Sequence, residues 1–345
     1  MACGHGAEAN NRIVAENSAM VGGGDDAASE TPTGTDAASL GLTELTDDSS
    51  RQQLFGEILQ HDRQAGGSAA TSAMEATEKF SLLGPFLFPN DTTYDAALQQ
   101  PRTNSFFGVD ISHYTASEFP IDQLKARNIR FLYMKATQGS GGLDGKFALF
   151  WKKAGGLPAG KQVHRGAYHF LSACRGSDCG VDPAAWGRQQ ADTFVKVVKA
   201  NGLLATDMPP VVDLEWDKGG GSADRWAARS PTQILATVDA FLTEVNAKLQ
   251  RRPMIYTARA WWDERMGATV MSATMKASPL WLADYSKKSR GSEIPRTIAG
   301  AKWTLWQFTD ASKMANGFSQ PFDSNIYKGK LENLYTALGV QEFPL

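Results

Sequence analysis

From Phe106 onward, short apolar runs alternate with longer amphipathic stretches, the pattern of repeated β-α units around a parallel sheet. The runs predict strands near 106–112, 129–137, 164–171, 209–216, 252–258, 279–285 and 302–309, with helices near 119–127, 144–155, 184–202 and 231–250 between them. The last helix has the sharpest start: Ser230 offers an N-cap, Pro231 a first-turn proline and Gln233 a capping-box partner. Beyond the β-α alternation no fixed-period repeat is present.

The first hundred residues carry no such rhythm. Small-residue runs at 22–24, 31–40 and 65–73 are typical of linkers. Two apolar islands interrupt them, one of Leu54, Phe55, Ile58 and Leu59 on a single face of a short helix, the other at 80–88 around Gly84 and Pro85. Either would dock on the folded body or on another protein, or belong to an unstructured spacer.

Charge sharpens the division. Residues 1–100 hold fifteen Asp/Glu against four Lys/Arg and no Trp, which leaves 22 acidic and 31 basic residues, with all nine Trp, in 101–345. The formal net charge of −2 hides this asymmetry. The expected architecture is a largely disordered acidic extension over 1–100, followed by an α/β barrel over 101–345, a length within the ordinary range for one barrel. A basic body attracts polyanions, but the chain holds neither a dense Lys/Arg run nor a nucleic-acid motif, so no nucleic-acid partner is expected. No stretch approaches the roughly 20 apolar residues of a membrane span. The amino terminus, Met-Ala-Cys-Gly-His-Gly, lacks the basic and apolar regions of a secretory signal, so the expectation is a protein made in the cytoplasm without a classical signal peptide. Cys174 and Cys179 flank Arg-Gly-Ser-Asp and would either close a small disulfide in an oxidising compartment or remain thiols; three cysteines make no zinc framework.

Polar residues at the carboxyl ends of parallel strands draw attention, because β/α barrels assemble active sites on that face. Asp110, then Tyr168 and His169, then Asp213 and Glu215 hold such positions. The strongest local signal is Pro209-Pro210-Val211-Val212-Asp213-Leu214-Glu215-Trp216. Side chains alternate along a strand, so both carboxylates face one side with Cα atoms roughly 6–7 Å apart. Their repulsion, and burial beside Trp216, would keep one protonated while the other ionises. Glycosidic cleavage needs that division; a structural or metal-binding acid cluster is the competing reading.

The ordered motifs Phe107-Gly108-Val109-Asp110-Ile111-Ser112, Tyr133-Met134-Lys135-Ala136-Thr137, Gly166-Ala167-Tyr168-His169-Phe170, Pro210-Val211-Val212-Asp213-Leu214-Glu215, Ile255-Tyr256-Thr257, Leu280-Trp281-Leu282-Ala283, Trp306-Gln307-Phe308-Thr309 and Phe322-Asp323-Ser324-Asn325 together resemble glycoside hydrolase family 25, the Chalaropsis-type muramidases. The resemblance spans nearly all of 106–327. It implies an irregular TIM-like (β/α)5(β)3 barrel and a retaining N-acetylmuramidase (lysozyme) activity on the β-1,4 bond of peptidoglycan. Glu215 would be the general acid/base and Asp213 would stabilise the oxocarbenium-like state or orient the substrate acetamide, while Asp110 and Asp323 complete an acidic floor. Tyr168, Tyr256, Trp281, Trp306 and Lys135 would bind substrate, with barrel core as the alternative for the aromatics and a structural ion pair for Lys135. His169 reads as a satisfied strand-end histidine. Two positions depart from the family pattern: Gln138 stands where Glu is common, and Ser112-His113-Tyr114-Thr115 lacks the usual Gln.

No cofactor or metal is implied, since acid-base hydrolysis needs none. The alternatives are a non-catalytic peptidoglycan-binding barrel and a chitinase-like hydrolase. For biological role the expectation is an antibacterial effector or phage lytic enzyme that acts on the cell wall or in the periplasm after non-classical delivery. Residues 1–100 would engage a delivery-machine component or chaperone, and an immunity protein is a further partner of such a role.

Overall fold

A computed structural model describes residues 36–45, 90–218, 223–298, 301–314 and 317–344, all within one compact unit, Gly34–Leu345. The expectation of disorder over 1–100, including both apolar islands, falls for the rest of that stretch outside the described residues. Three short strands and a helical turn come first: β1 (Thr43–Leu45), α1 (Asn90–Thr93) and the hairpin of β2 (Tyr94–Asp95) with β3 (Gln100–Pro101).

Eight strands then close a barrel: β4 (Ser105–Ile111), β5 (Ile129–Gln138), β7 (His164–Phe170), β8 (Val211–Leu214), β9 (Met254–Ala258), β10 (Leu280–Ala283), β11 (Leu305–Ser312) and β12 (Phe322–Lys328). Neighbours are parallel except at β12, which runs antiparallel to β11 and β4. The irregular α/β barrel expected from the sequence is therefore present. A short strand, β6 (Gly142–Asp144), folds back on the end of β5, and β1 adds to its outer edge in parallel.

The barrel closes tightly because glycines sit directly beside aromatic rings of the neighbouring strand. A Cβ on Gly108 in β4 would lie 1.9 Å from the Phe131 ring of β5, and one on Gly166 in β7 would lie 2.2 Å from the Tyr133 ring. Those two glycines make room for the rings that fill the lower barrel.

Helices cover the outside: α2 (Phe147–Gly155), α3 (Pro183–Asn201), α4 (Pro231–Leu249), α5 (Arg259–Arg265), α6 (Ala273–Ala277), α7 (Lys287–Ser292) and α8 (Leu331–Leu338). The α4 capping box forms as expected, with Gln233 N donating to Ser230 Oγ and Ser230 N donating to Gln233 Oε1. α3 starts on a simpler cap, with Asp182 Oδ1 accepting from Ala185 N and Pro183 in the first turn. The region 119–127 corrects the sequence reading: it holds two 3-10 turns, Ile121–Gln123 and Lys125–Arg127, instead of an α-helix. Left-handed Asn128 stops the segment and Pro120 precedes it, which leaves too few residues to nucleate a longer helix. No helix among the described residues is long and apolar enough to cross a membrane.

Candidate active site

The strand ends open into a solvent-facing cavity, and β8 supplies its key groups. Val211, Asp213 and Glu215 line the cavity while Val212 and Leu214 are buried against the surrounding layer, as the period of two demands. Asp110 from β4 and Asp323 from β12 reach the same cavity and sit opposite each other across the antiparallel ladder. All four acids are 4–6% exposed. Like charges facing across a ladder destabilise a sheet, so this arrangement marks a site where fold stability has yielded to chemistry.

Asp110 is held rigidly. Its Oδ2 accepts from Gln307 Nε2 at 3.0 Å and Asn325 Nδ2 at 2.7 Å. Both amides are themselves fixed: the Tyr256 and Tyr285 hydroxyls donate to Gln307 Oε1, and Trp281 Nε1 donates to Asn325 Oδ1 at 2.8 Å. With each carbonyl oxygen engaged by a donor, the NH2 ends must face the carboxylate. The Trp281 ring lies 4.9 Å from Tyr133 and 5.0 Å from Tyr256, forming an aromatic support beneath the acids.

Burial pushes Glu215 well above the ordinary carboxylate range; the charge of Asp213 adds to this, Lys135 opposes it, and Asp323 and Asp110 add further. Asp213 is also raised by burial, with Lys135 as the main counterweight and Asp110 adding to the rise. Two interacting carboxyls this close lose their protons in turn. Lys135 stands foremost among the charges acting on Asp213, and three carboxylates bear on Glu215, so we place the retained proton on Glu215 and the negative charge on Asp213. The Tyr168 and Tyr256 hydroxyls are likewise raised by burial and remain protonated donors.

Of the other sequence-selected residues, Tyr168, Tyr256, Trp281 and Lys135 line the cavity. Lys135 Nζ donates to Gln138 Oε1 at 2.6 Å and lies 4.9 Å from the Phe170 ring centroid. Trp306 is a correction: it lies outside the cavity lining, fully buried, with Nε1 donating to the Asp284 carbonyl. It shares β11 with cavity-facing Gln307, and adjacent strand residues face opposite ways. His169 turns outward, stacked on Phe241 and hydrogen-bonded to Thr137 Oγ1; burial lowers its pKa to about 3, so it is a neutral packing group.

Sequence reasoning assigned no site role to Gln307, Asn325, Tyr285 or Asp217, and it marked Gln138, Ser112 and Tyr114, which line the cavity, only as departures from the family pattern. Parity alone could have found Asn325, two residues from Asp323 on one strand. Asp217 accepts from Ala173 N and pairs with Arg225, tying the loop after β8 to the loop that carries the Cys174–Cys179 disulfide.

The chain is similar to known proteins of one family. Residues 109–317 match the model of the glycosyl hydrolases family 25. The chain is 28% identical over 233 residues to lysozyme M1 of Streptomyces globisporus, covering 67% of this chain and 71% of that protein. It is 30% identical over 244 residues to an N,O-diacetylmuramidase of Arthroderma benhamiae, covering 69% and 89%. A solved bacterial lysozyme from Streptomyces coelicolor superposes with a TM-score of 0.55 at 27% identity, over 69% of this chain and 99% of that one.

Proposed function

The chain belongs to glycosyl hydrolase family 25, the lysozymes and muramidases, and on that premise we propose that it hydrolyses the β-1,4 bond between N-acetylmuramic acid and N-acetylglucosamine in peptidoglycan, with Glu215 as general acid. The observation that carries the assignment is a pair of buried carboxyls two residues apart at one strand end, Asp213 and Glu215, sharing a cavity with Asp110 and Asp323.

The chemistry follows from their environments. Glu215 keeps its proton because burial and neighbouring carboxylates disfavour its charge, so it delivers that proton to the glycosidic oxygen as the bond breaks. Positive charge then develops on the sugar ring. Asp213, whose charge Lys135 supports, faces that charge or holds the substrate acetamide against the anomeric carbon. Water completes the hydrolysis after Glu215, now ionised, takes its proton. Asp110, fixed by Gln307 and Asn325, and Asp323 add negative potential that favours an oxocarbenium-like state over the neutral substrate. Tyr168 supplies a hydroxyl donor, and Tyr256 and Trp281 supply ring faces, for the sugar rings and N-acetyl groups.

A digest of purified, O-deacetylated peptidoglycan by the wild type and by Glu215→Gln, followed by mass spectrometry of new reducing ends, tests the assignment. Reducing N-acetylmuramic acid from the wild type, with the variant slower by roughly 10²- to 10⁴-fold, is the expected outcome. Binding without cleavage by both proteins would make the barrel a glycan-binding module. Products from chitin but not from peptidoglycan would make it a chitinase-like hydrolase.

For biological role we read an antibacterial effector or phage lytic enzyme acting on the wall or in the periplasm. The acidic segment 1–100 would be the part that engages a delivery component or chaperone. Its strong charge contrast with residues 101–345 supports that reading. Loss of export on deleting residues 1–35 of this segment, with activity retained, is the expected result; unchanged export would remove those residues from the docking role.

A further inference from the structure

The family match begins at residue 109, yet residues 36–45, more than sixty positions earlier, are built into the sheet beside the cavity. The attachment is specific. Asp36 Oδ1 accepts from Ser39 N; Leu42 N and Gly41 N donate to the Ala37 and Ala38 carbonyls, and Gly41 takes a left-handed φ of 63°. This is a capped turn closed in the manner of a helix C-terminus. Leu40 from the turn is buried in the core, and Lys196 of α3 donates to its carbonyl. β1 then runs parallel to β6, with Thr43 N donating to Gly141 O at 2.8 Å.

β6 links this segment to the cavity rim by two routes. Its Gly142 pairs with Gln138 of β5, which lines the cavity and accepts from Lys135. Its Asp144, buried, accepts from both N and Nδ1 of His113 at 2.8 and 2.7 Å. The His113 ring in turn lies 4.1 Å from that of Tyr114, another lining residue. Lys146, whose N donates to Asp144, sends Nζ to the Thr115 carbonyl and closes the same loop.

We propose that residues 36–45 are a positioning segment of the hydrolase: clamped along β6, they set the wall of the substrate groove formed by Tyr114 and Gln138. The working enzyme thus starts at residue 36, and the segment acts on substrate binding instead of on bond cleavage, because its links run through β6 to Gln138 and Tyr114. The activity arm of the test rests on the muramidase reading above; a binding arm does not.

Two full-length variants disturb the clamp: Thr43→Pro deletes the donor to Gly141, and Leu40→Asp puts a charge in the core. A chain lacking 1–35 is the control. Kinetics on peptidoglycan at high ionic strength should give KM raised roughly tenfold for both variants with kcat within about twofold, and an unchanged control. In a Glu215→Gln background, Thr43→Pro should weaken sedimentation with peptidoglycan sacculi by a similar factor, whether or not the wild type cleaves. Thermal melts report the folded fraction. An unchanged KM, or losses that only track unfolded protein, would overturn the proposal.

Discussion

Glu215 shows how one residue can be good for chemistry and costly for folding. Its folded pKa is raised above the unfolded value by burial and by neighbouring carboxylates. The folded state therefore holds the proton more tightly, and the resulting stability is fully present below about pH 4 and is lost as pH rises toward the folded pKa. Glu215→Gln removes that penalty. The variant should melt higher than the wild type, with a gain that is small at about pH 4 and grows by at most about 1.4 kcal/mol per pH unit toward neutrality. Calorimetry at two pH values checks it; a gain independent of pH would mean that Glu215 titrates normally. Asp110, Asp213 and Glu215 were readable from the sequence because they end apolar runs, whereas the role of Asp323 came only with the family resemblance. Gln307 and Asn325 were not, since an amide in a strand gives no sign of whether it faces a carboxylate or a solvent shell. Trp306 misled for a related reason: a large aromatic in a strand fills core or groove equally well, and only its parity against Gln307 decides.

At the scale of elements, the seven strands read from the sequence match β4, β5, β7, β8, β9, β10 and β11 within about three residues at either end, because parallel strands buried on both sides are continuous apolar runs. β12 escaped notice. Its central Asp323, Ser324 and Asn325 break the apolar run, and polar residues mimic a loop. The short helices α5, α6 and α7 span too few turns to show a period. Long α3 and α4 were legible from periodicity and caps, and their mutual packing has one tight point. A Cβ on Gly187 of α3 would lie 2.1 Å from the Thr237 carbonyl oxygen of α4. Backbone cannot swing aside as a side chain can, so Gly187→Ala must part the helices. The gain of about 1 kcal/mol in helix propensity is outweighed by overpacking of roughly 1–3 kcal/mol. Net destabilisation of up to about 2 kcal/mol is expected from urea unfolding, whereas Gly180→Ala, with nothing within 4 Å of the new atom, should be near neutral. Equal effects at both sites would show that the α3–α4 crossing is not strained by the methyl group.

For the whole molecule, the deciding quantity is the charge contrast between its two ends. The body from 101 onward carries 31 basic and 22 acidic residues and should be drawn to a polyanionic wall, while the acidic residues before it work against adsorption. Residues 1–35 contain five acidic and one basic residue, so their deletion moves the formal net charge from −2 to +2 and leaves the 36–45 clamp intact. Long-range attraction to a charged surface acts on the encounter and is screened by salt, whereas the groove contacts that fix KM at high ionic strength are not. The shortened chain should therefore adsorb to anionic sacculi faster than the full chain at low salt, by roughly two- to tenfold, and the two should converge near 1 M salt, where the Debye length is about 3 Å. Stopped-flow light scattering across a salt series reads both limits. A difference that survives high salt would mean that 1–35 blocks the groove by contact, and the charge argument would fail while the groove assignment stood.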